Sequence, residues 1–460
     1  MTTTSSAIST EKPSRVRYGV LGFACSLAMI TYLDRVSFGT AAPYIQKEFG
    51  FDKDVKGILF GAFALAYALF EVPSGWLGDV YGPRRTLFRI VIWWSIFTAL
   101  TGAIYPTPSF PWFAIGALIL VQFLFGMGEA GAFPNIARAQ ANWFPFTERG
   151  FAQGAVWMSG RFAGGMTPLV ISLLIFTEGQ GDSTVTHWRH AFWIFGIIGT
   201  VWCIGFMLWF RDRPEDKPGV NAAELALIRK GGDVRAAGHA GVPWKRLLGS
   251  RNLWFLCIMY FCGSYGWYFN ITWLSSYLKD VHGVTKETAG LQYGLMAGLP
   301  LLLGSSACLI GGLLTDFIIR RTGNQKWGRR FCGMLGHGLC GICYLLAAFM
   351  ETPWTCVLAI AIGTFWNDIT MGSAWASCLD IGGRYAGTVS GCMNTIGNLG
   401  GAVAGVTTGL ILGLFETENE GWHANFILFA CVYGIAVVMW SLFDASKPVV
   451  PVAERVSSPA

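Results

Sequence analysis

Five of the charged side chains inside long apolar runs of this sequence could do chemistry. They are Asp34 and Arg35 in ITYLDRVSF, Glu129 in FGMGEAGAFPN, Arg161 in WMSGRFAGGMTP and Asp368 in FWNDIT. If the runs cross a bilayer, each central charge costs about 2.5–3.5 kcal/mol on insertion scales. Such groups must face a cavity or one another. Burial penalises the charged form of a carboxyl group, which suits Asp34 and Glu129 to proton uptake near neutral pH. Arg35 and Arg161 bring the positive charge and planar fork that match a carboxylate. Together these groups suggest the binding of an organic anion alongside proton transfer.

The local context limits how these groups pair. Adjacent residues on a helix do not face each other, so Asp34 and Arg35 need different partners. A structural ion pair with neighbouring helices is the competing reading for both. Gly126, Gly128 and Gly131 permit close helix approach around Glu129, whose competing reading is a neutral, hydrogen-bonded side chain. Polar amides accompany aromatic rings further along: Asn270 and Trp273 in YFNITW, Trp366, Asn367 and Trp375 around Asp368, and Asn394 and Asn398 in GCMNTIGNLGG. Amides among glycines serve hydroxyl-rich ligands and equally hold membrane helices together. The tryptophans offer flat faces to a sugar ring, and aromatic packing would look the same. No role follows for Asp368.

The elements that position these residues follow from composition and length. Of the 460 residues, 53% are hydrophobic and 13% charged, against about a quarter charged in soluble domains. A helix needs about 20 apolar residues to cross a bilayer. Twelve candidates run roughly 18–42, 55–79, 87–105, 112–134, 151–176, 189–210, 252–278, 289–318, 331–349, 354–379, 385–413 and 422–443. The longest polar stretch, 211–251, divides them six and six. The expected organisation is a cytoplasmic tail over 1–17, a six-helix bundle over 18–210, a cytoplasmic linker over 211–251, a second bundle over 252–445 and a tail over 446–460. No cleavable signal peptide is visible.

Charge asymmetry orients the chain. Twenty-five of the 33 Lys and Arg residues fall in the termini and even-numbered connections, six fall on the opposite side, and Arg35 and Arg161 remain inside. The positive-inside rule then puts both termini in the cytoplasm. The halves also repeat. GWLGDVYGPRR, with Gly75, Asp79, Gly82, Arg84 and Arg85, follows the second run, and GGLLTDFIIRR, with Gly312 and Asp316, follows the eighth. Asp79 and Asp316 lie 237 residues apart, consistent with a duplicated six-helix unit.

On these residues the chain resembles the major facilitator superfamily over nearly its whole length. The resemblance implies an all-α integral membrane fold of twelve helices in two six-helix repeats, with a substrate site at mid-membrane. It also implies a cytoplasmic gate at Asp79, Arg84 and Arg85, with Asp316 a weaker counterpart. TYLDR, GEAGAFPN and WFP narrow the resemblance to the anion:cation symporters, which include carriers of D-galactonate, hexuronates, sialic acid and glutamate. That branch implies proton handling by Asp34 and Glu129 and an anion site at Arg35, Tyr32 and Tyr67, with Asn394 bonding substrate hydroxyls. Asn398 is assigned to packing. The branch usually carries an arginine where this chain has Gln122, which can donate hydrogen bonds but lacks the charge. Arg161 either replaces that cation or pairs structurally with Asp34 or Glu129.

Other classes fit less well. The six histidines (187, 190, 239, 282, 337 and 423) lie mostly in loops or near span ends without metal-ligand spacing. All twelve cysteines fall within or at the ends of apolar segments, and Cys340 and Cys343, which have redox spacing but no polar partners, read as small buried hydrophobes in a helix. No nucleophile–base set stands out, and no cofactor or metal is expected. Scattered basic residues in short loops do not make a nucleic-acid surface despite a net charge of +6. Twelve spans and short tails leave no signalling domain. The expected protein is a monomeric, multi-pass carrier in the cell (inner) membrane, taking up a small organic anion such as a sugar acid with protons. Its alternative is a proton-independent facilitator or exchanger of carboxylates.

Overall fold

The structure is a computed structural model that describes residues 11–107, 109–175, 177–178, 185–229, 242–289 and 291–450. The outer parts of both expected tails and the middle of the expected linker therefore lie outside the described residues.

The helices start and stop where local chemistry predicts. α1 (Val16–Phe49) ends at Gly50, whose φ of 67° is the left-handed conformation that caps a helix. α2 (Lys53–Tyr81) begins at Asp52, which accepts a hydrogen bond from the Val55 amide at 3.0 Å. α3 (Pro83–Ala103) and α4 (Pro111–Glu129) open on proline, whose missing N–H costs nothing in a first turn. α4 stops at Glu129, and α5 (Ala132–Trp143) resumes after a two-residue turn. Pro134 cannot donate to the Ala130 carbonyl, which explains a break at that point. α6 (Arg149–Leu174) and α7 (Arg189–Trp209) complete the first group, with a two-residue antiparallel ribbon, β1 (Thr177–Glu178) and β2 (Val185–Thr186), between them.

Short helices α8 (Ala222–Arg229) and α9 (Trp244–Leu248) occupy the polar connection. The second group contains α10 (Arg251–Thr272), α11 (Leu274–His282), α12 (Lys286–Ala289), α13 (Leu291–Thr322), α14 (Gln325–Ala347), α15 (Pro353–Gly382), α16 (Ala386–Leu412) and α17 (Glu418–Leu442). Nine helical stretches among the described residues are long and apolar enough to cross a membrane by themselves. One of these, Pro353–Leu412, holds both α15 and α16. With α6 and the broken pair α10–α11, the helices make twelve spans. Their outward faces carry large apolar side chains such as Leu65, Leu173, Leu208 and Val406, as a lipid-facing surface requires.

Within the first group α1 packs on α6, α2 on α4 and α3 on α7; within the second, α10 packs on α16, α13 on α15 and α14 on α17. Two seams join the groups, α2 against α16 and α6 against α13 and α15. Glycine makes both seams possible. A Cβ on Gly75 would overlap the Gly387 carbonyl, and one on Gly312 would overlap the Gly150 carbonyl. The described cysteines are all free, and Cys340 is buried. His337 departs from the expected loop positions: it is buried in α14, where its Nδ1 accepts from the Trp440 indole at 3.1 Å.

Candidate functional site

Among the described residues, three polar clusters gather the charges that stand at mid-span. The first joins α1 to α4. Arg35 Nε donates to Glu129 Oε1 at 3.0 Å, and its Nη2 lies 2.9 Å from the same oxygen. The Glu129 side chain is fully buried, whereas Arg35 keeps 29% of its side-chain surface accessible. The guanidinium sits in an aromatic cage, 4.7 Å from the Tyr67 ring centre, 5.5 Å from Phe63 and 5.7 Å from Tyr32. Such cation–π contacts steady a cation without neutralising it. Asp34 is buried beside the Trp94 indole and interacts electrostatically with Glu129. Neither Asp34 oxygen has a hydrogen-bond partner among the described residues, and Glu129 Oε2 has none either. As the helix geometry demands, Asp34 and Arg35 do not pair with each other.

The second cluster crosses the α2–α16 seam and centres on Glu71, a residue not among those expected at the site. Glu71 is fully buried one turn beyond Tyr67. Its Oε1 accepts from Asn394 Nδ2, and its Oε2 accepts from Thr395 Oγ1 at 3.3 Å and Asn398 Nδ2 at 3.4 Å. Asn398, assigned to packing from sequence, thus shares one carboxylate with Asn394. Its Oδ1 also accepts from the Tyr268 hydroxyl at 3.1 Å. The available signal for Glu71 was its charge within the apolar run of the second span, the same signal that marks Asp34.

The third cluster crosses the other seam. Arg161 Nη1 on α6 bonds Asp368 Oδ2 on α15, and the guanidinium lies 4.7 Å from the Trp267 ring centre. Asn367 Nδ2 donates to Asp368 Oδ1 at 3.2 Å. The carboxylate partner of Arg161 is therefore Asp368, not Asp34 or Glu129. Gly304 leaves room for this carboxylate, since a Cβ there would overlap Asp368 Oδ2.

Other expected residues fall around or outside these clusters. Gln122 is buried on α4, two turns before Glu129. Asn270 donates to Thr364 Oγ1 at 3.0 Å, and its own Oδ1 has no partner among the described residues. Trp273 is not brought to the arginines: it closes α10 and packs 6.0 Å from Trp422. Trp375 is fully buried in an aromatic stack with Phe133, Trp157 and Tyr260, with its nearest ring centre, that of Trp157, at 5.0 Å. This stack joins rings from both groups of helices and presents no free face.

Beyond the stack, the seams close on paired carboxylates. Asp79 accepts from the backbone amides of Gly387 (3.0 Å) and Thr388 (2.6 Å) at the start of α16, and Arg138 Nε lies 3.2 Å away. Asp316 accepts from the amides of Gly150 (3.1 Å) and Phe151 (2.7 Å) at the start of α6, and from Arg329 at 2.9 Å. Each acid caps the positive end of a helix in the other group. Asp380 links Arg149 (2.9 Å) to Arg329 (3.0 Å) and so widens the second contact. Arg84 and Arg85 do not pair with Asp79. The turn at Gly82 (φ 86°) sends the Arg84 amide to Asp212 at 2.8 Å, and Arg85 is exposed. Asp316 and Asp79 each accept from two backbone amides and face one arginine, and Asp79 accepts in addition from the Thr388 hydroxyl at 2.6 Å.

Two bundles of spanning helices, buried charges at mid-span and carboxylate-capped seams at one end are the architecture of a membrane carrier. The chain belongs to the Major Facilitator Superfamily, whose family profile matches residues 24–405. It is a multi-pass transporter and not an enzyme. It is 34% identical over 436 residues to the probable sulfoacetate transporter of Cupriavidus necator, covering 93% of this chain and 94% of that protein. It is 30% identical over 430 residues to the probable galactarate/D-glucarate transporter GudP of Escherichia coli, covering 90% and 91% respectively. The crystal structure of the Escherichia coli fucose:proton symporter FucP superposes with a TM-score of 0.65 at 13% identity, covering 93% of this chain and 99% of that one.

Proposed function

We propose that this protein imports a small organic anion, a sugar acid such as an aldonate, hexuronate or aldarate, together with protons and by alternating access. The observation that carries the reading is Arg35, an incompletely buried cation held by the fully buried Glu129 and ringed by Tyr32, Phe63 and Tyr67. An incoming carboxylate would compete with Glu129 for this guanidinium. A proton on Glu129 removes its claim, so protonation and anion binding assist one another. Asp34, beside Glu129 and without a salt-bridge partner among the described residues, would be the second proton carrier. The names of the relatives, which refer to sulfoacetate and to galactarate and D-glucarate, support an acidic substrate.

The seam carboxylates Asp79 and Asp316, with Arg138 and Arg329, would form the gate, and the Lys and Arg bias would make that end cytoplasmic, in the cell (inner) membrane. Separation of the bundles at this end would release the anion inside. Purified protein in sealed vesicles tests the reading. Uptake of labelled D-galactonate, D-glucuronate or D-glucarate is expected to follow an imposed inward proton gradient. Uptake unchanged when both the pH gradient and the membrane potential are collapsed would instead establish the proton-independent facilitator or exchanger.

A further inference from the structure

Anion binding at Arg35 uses one guanidinium and leaves Arg161 with Asp368. Three observations give that second pair a use. First, it repeats the arrangement at Arg35: a guanidinium rests on an aromatic ring and is held by a buried carboxylate, here Trp267 and Asp368. Glu129 and Asp368 stand 239 residues apart, close to the 237 that separate Asp79 from Asp316. Second, donors at this pair are unsatisfied. Arg161 Nε and Trp267 Nε1 are buried without a hydrogen-bond partner among the described residues. Buried donors are normally paired, so two together point to an acceptor absent from the protein itself. Third, one ring separates the two cations. Tyr32 packs against Gly160 and Gly164 on either side of Arg161, and the Arg35 guanidinium lies 5.7 Å from its centre. The charges of both arginines act on its phenol.

We infer that the site takes a dianion, with one acidic group at Arg35 and the second at Arg161 and Trp267, where it displaces Asp368. This rests on the reading that Arg35 anchors the first acidic group. Asp368 is then an internal stand-in that occupies the second position while the carrier is empty. Because Arg161 and Asp368 belong to different groups of helices, the exchange also breaks one polar tie across the seam. A monoanion leaves that tie intact.

The test compares matched anions on the purified full-length protein by calorimetry. D-glucarate and D-gluconate share a carbon skeleton and differ in one acidic group, and sulfoacetate and acetate form a shorter pair. The wild type is expected to bind the dianion of at least one pair tenfold or more tightly than the monoanion. Arg161→Gln is expected to bring the two within threefold by weakening the dianion alone. Trp267→Phe keeps the ring and removes the donor, and is expected to shrink the preference without abolishing it. Asp368→Asn, which removes the competitor, is expected to tighten the dianion at least threefold. Equal affinity for both members of each pair, equal weakening of both by Arg161→Gln, or weaker dianion binding in Asp368→Asn would overturn the inference. Arg35→Ala separates the two readings. Loss of both anions in that variant without any dianion preference in the wild type would leave the anchor at Arg35 standing and the dianion site refuted. Undiminished binding in Arg35→Ala, or no binding of either pair by the wild type, would overturn both.

Discussion

The Glu71 carboxylate on α2 accepts a hydrogen bond from the Asn394 amide on α16, across the seam between the two groups of helices and 323 residues away in sequence. Thr395 and Asn398 add two longer bonds, and the described residues offer Glu71 no salt-bridge partner. A fully buried acid held only by neutral donors of the opposite bundle ties its own state to the closure of that seam. Asn394 is therefore engaged before any substrate hydroxyl could reach it.

Glu71→Ala leaves the Asn394 and Asn398 amides without their acceptor in a buried seam. An unsatisfied buried polar group costs about 1–3 kcal/mol. The variant is expected to unfold in detergent at a temperature several degrees below the wild type, and Glu71→Gln, which keeps an acceptor oxygen, is expected to lose less. Differential scanning fluorimetry ranks the three proteins, and an unchanged midpoint for Glu71→Ala would show that the seam does not depend on this acid.

Arg35→Ala is expected to abolish measurable anion binding, while Asn394→Ala weakens it to a smaller degree. A hydrogen bond to a charged group contributes about 1.5–3 kcal/mol against about 1 kcal/mol for a neutral one. Calorimetry on folded protein checks the order. Wild-type affinity in Arg35→Ala would make that residue purely structural.

Glu129→Gln is expected to lose uptake driven by a proton gradient and to retain exchange of labelled for unlabelled anion. The amide imitates the protonated acid, so Arg35 stays available but no proton is carried. Counterflow compared with gradient-driven uptake in the same vesicles separates the two activities, and full gradient-driven accumulation would remove Glu129 from the coupling scheme.

Gly75→Val forces a branched side chain into the Gly387 carbonyl, so the α2–α16 seam cannot close around Asp79. Transport is expected to fall below a tenth of wild type. Gly57→Val, on the same helix in open space, is the control and is expected to retain most activity. Equal activity of the two variants would show that close approach at Gly75 is dispensable.

Much of this protein is legible in its sequence because solvent acts locally. Each long apolar run, the polar stretch after the sixth and the one-sided Lys and Arg residues report which medium surrounds that piece of chain. The G-x-L-x-D repeats at Gly75 and Gly312 announce two like turns, and both glycines do lie at seams where no side chain fits. Asp34, Arg35, Glu129 and Arg161 are likewise visible one at a time, since a charge in an apolar run is costly wherever it occurs.

What a charge in such a run does not carry is the identity of its partner. Arg161 is 207 residues from Asp368, and only the packing of α6 against α15 brings them together. Asp79 could not be matched to Arg138 from sequence, because the nearer Arg84 is turned toward Asp212 by the bend at Gly82. Trp273 and Trp375 have the same side chain and opposite fates, one packed beside Trp422 at the end of α10 and the other sealed between the bundles. Burial makes a partner obligatory for every one of these groups, and the crossing of distant helices decides which partner it is.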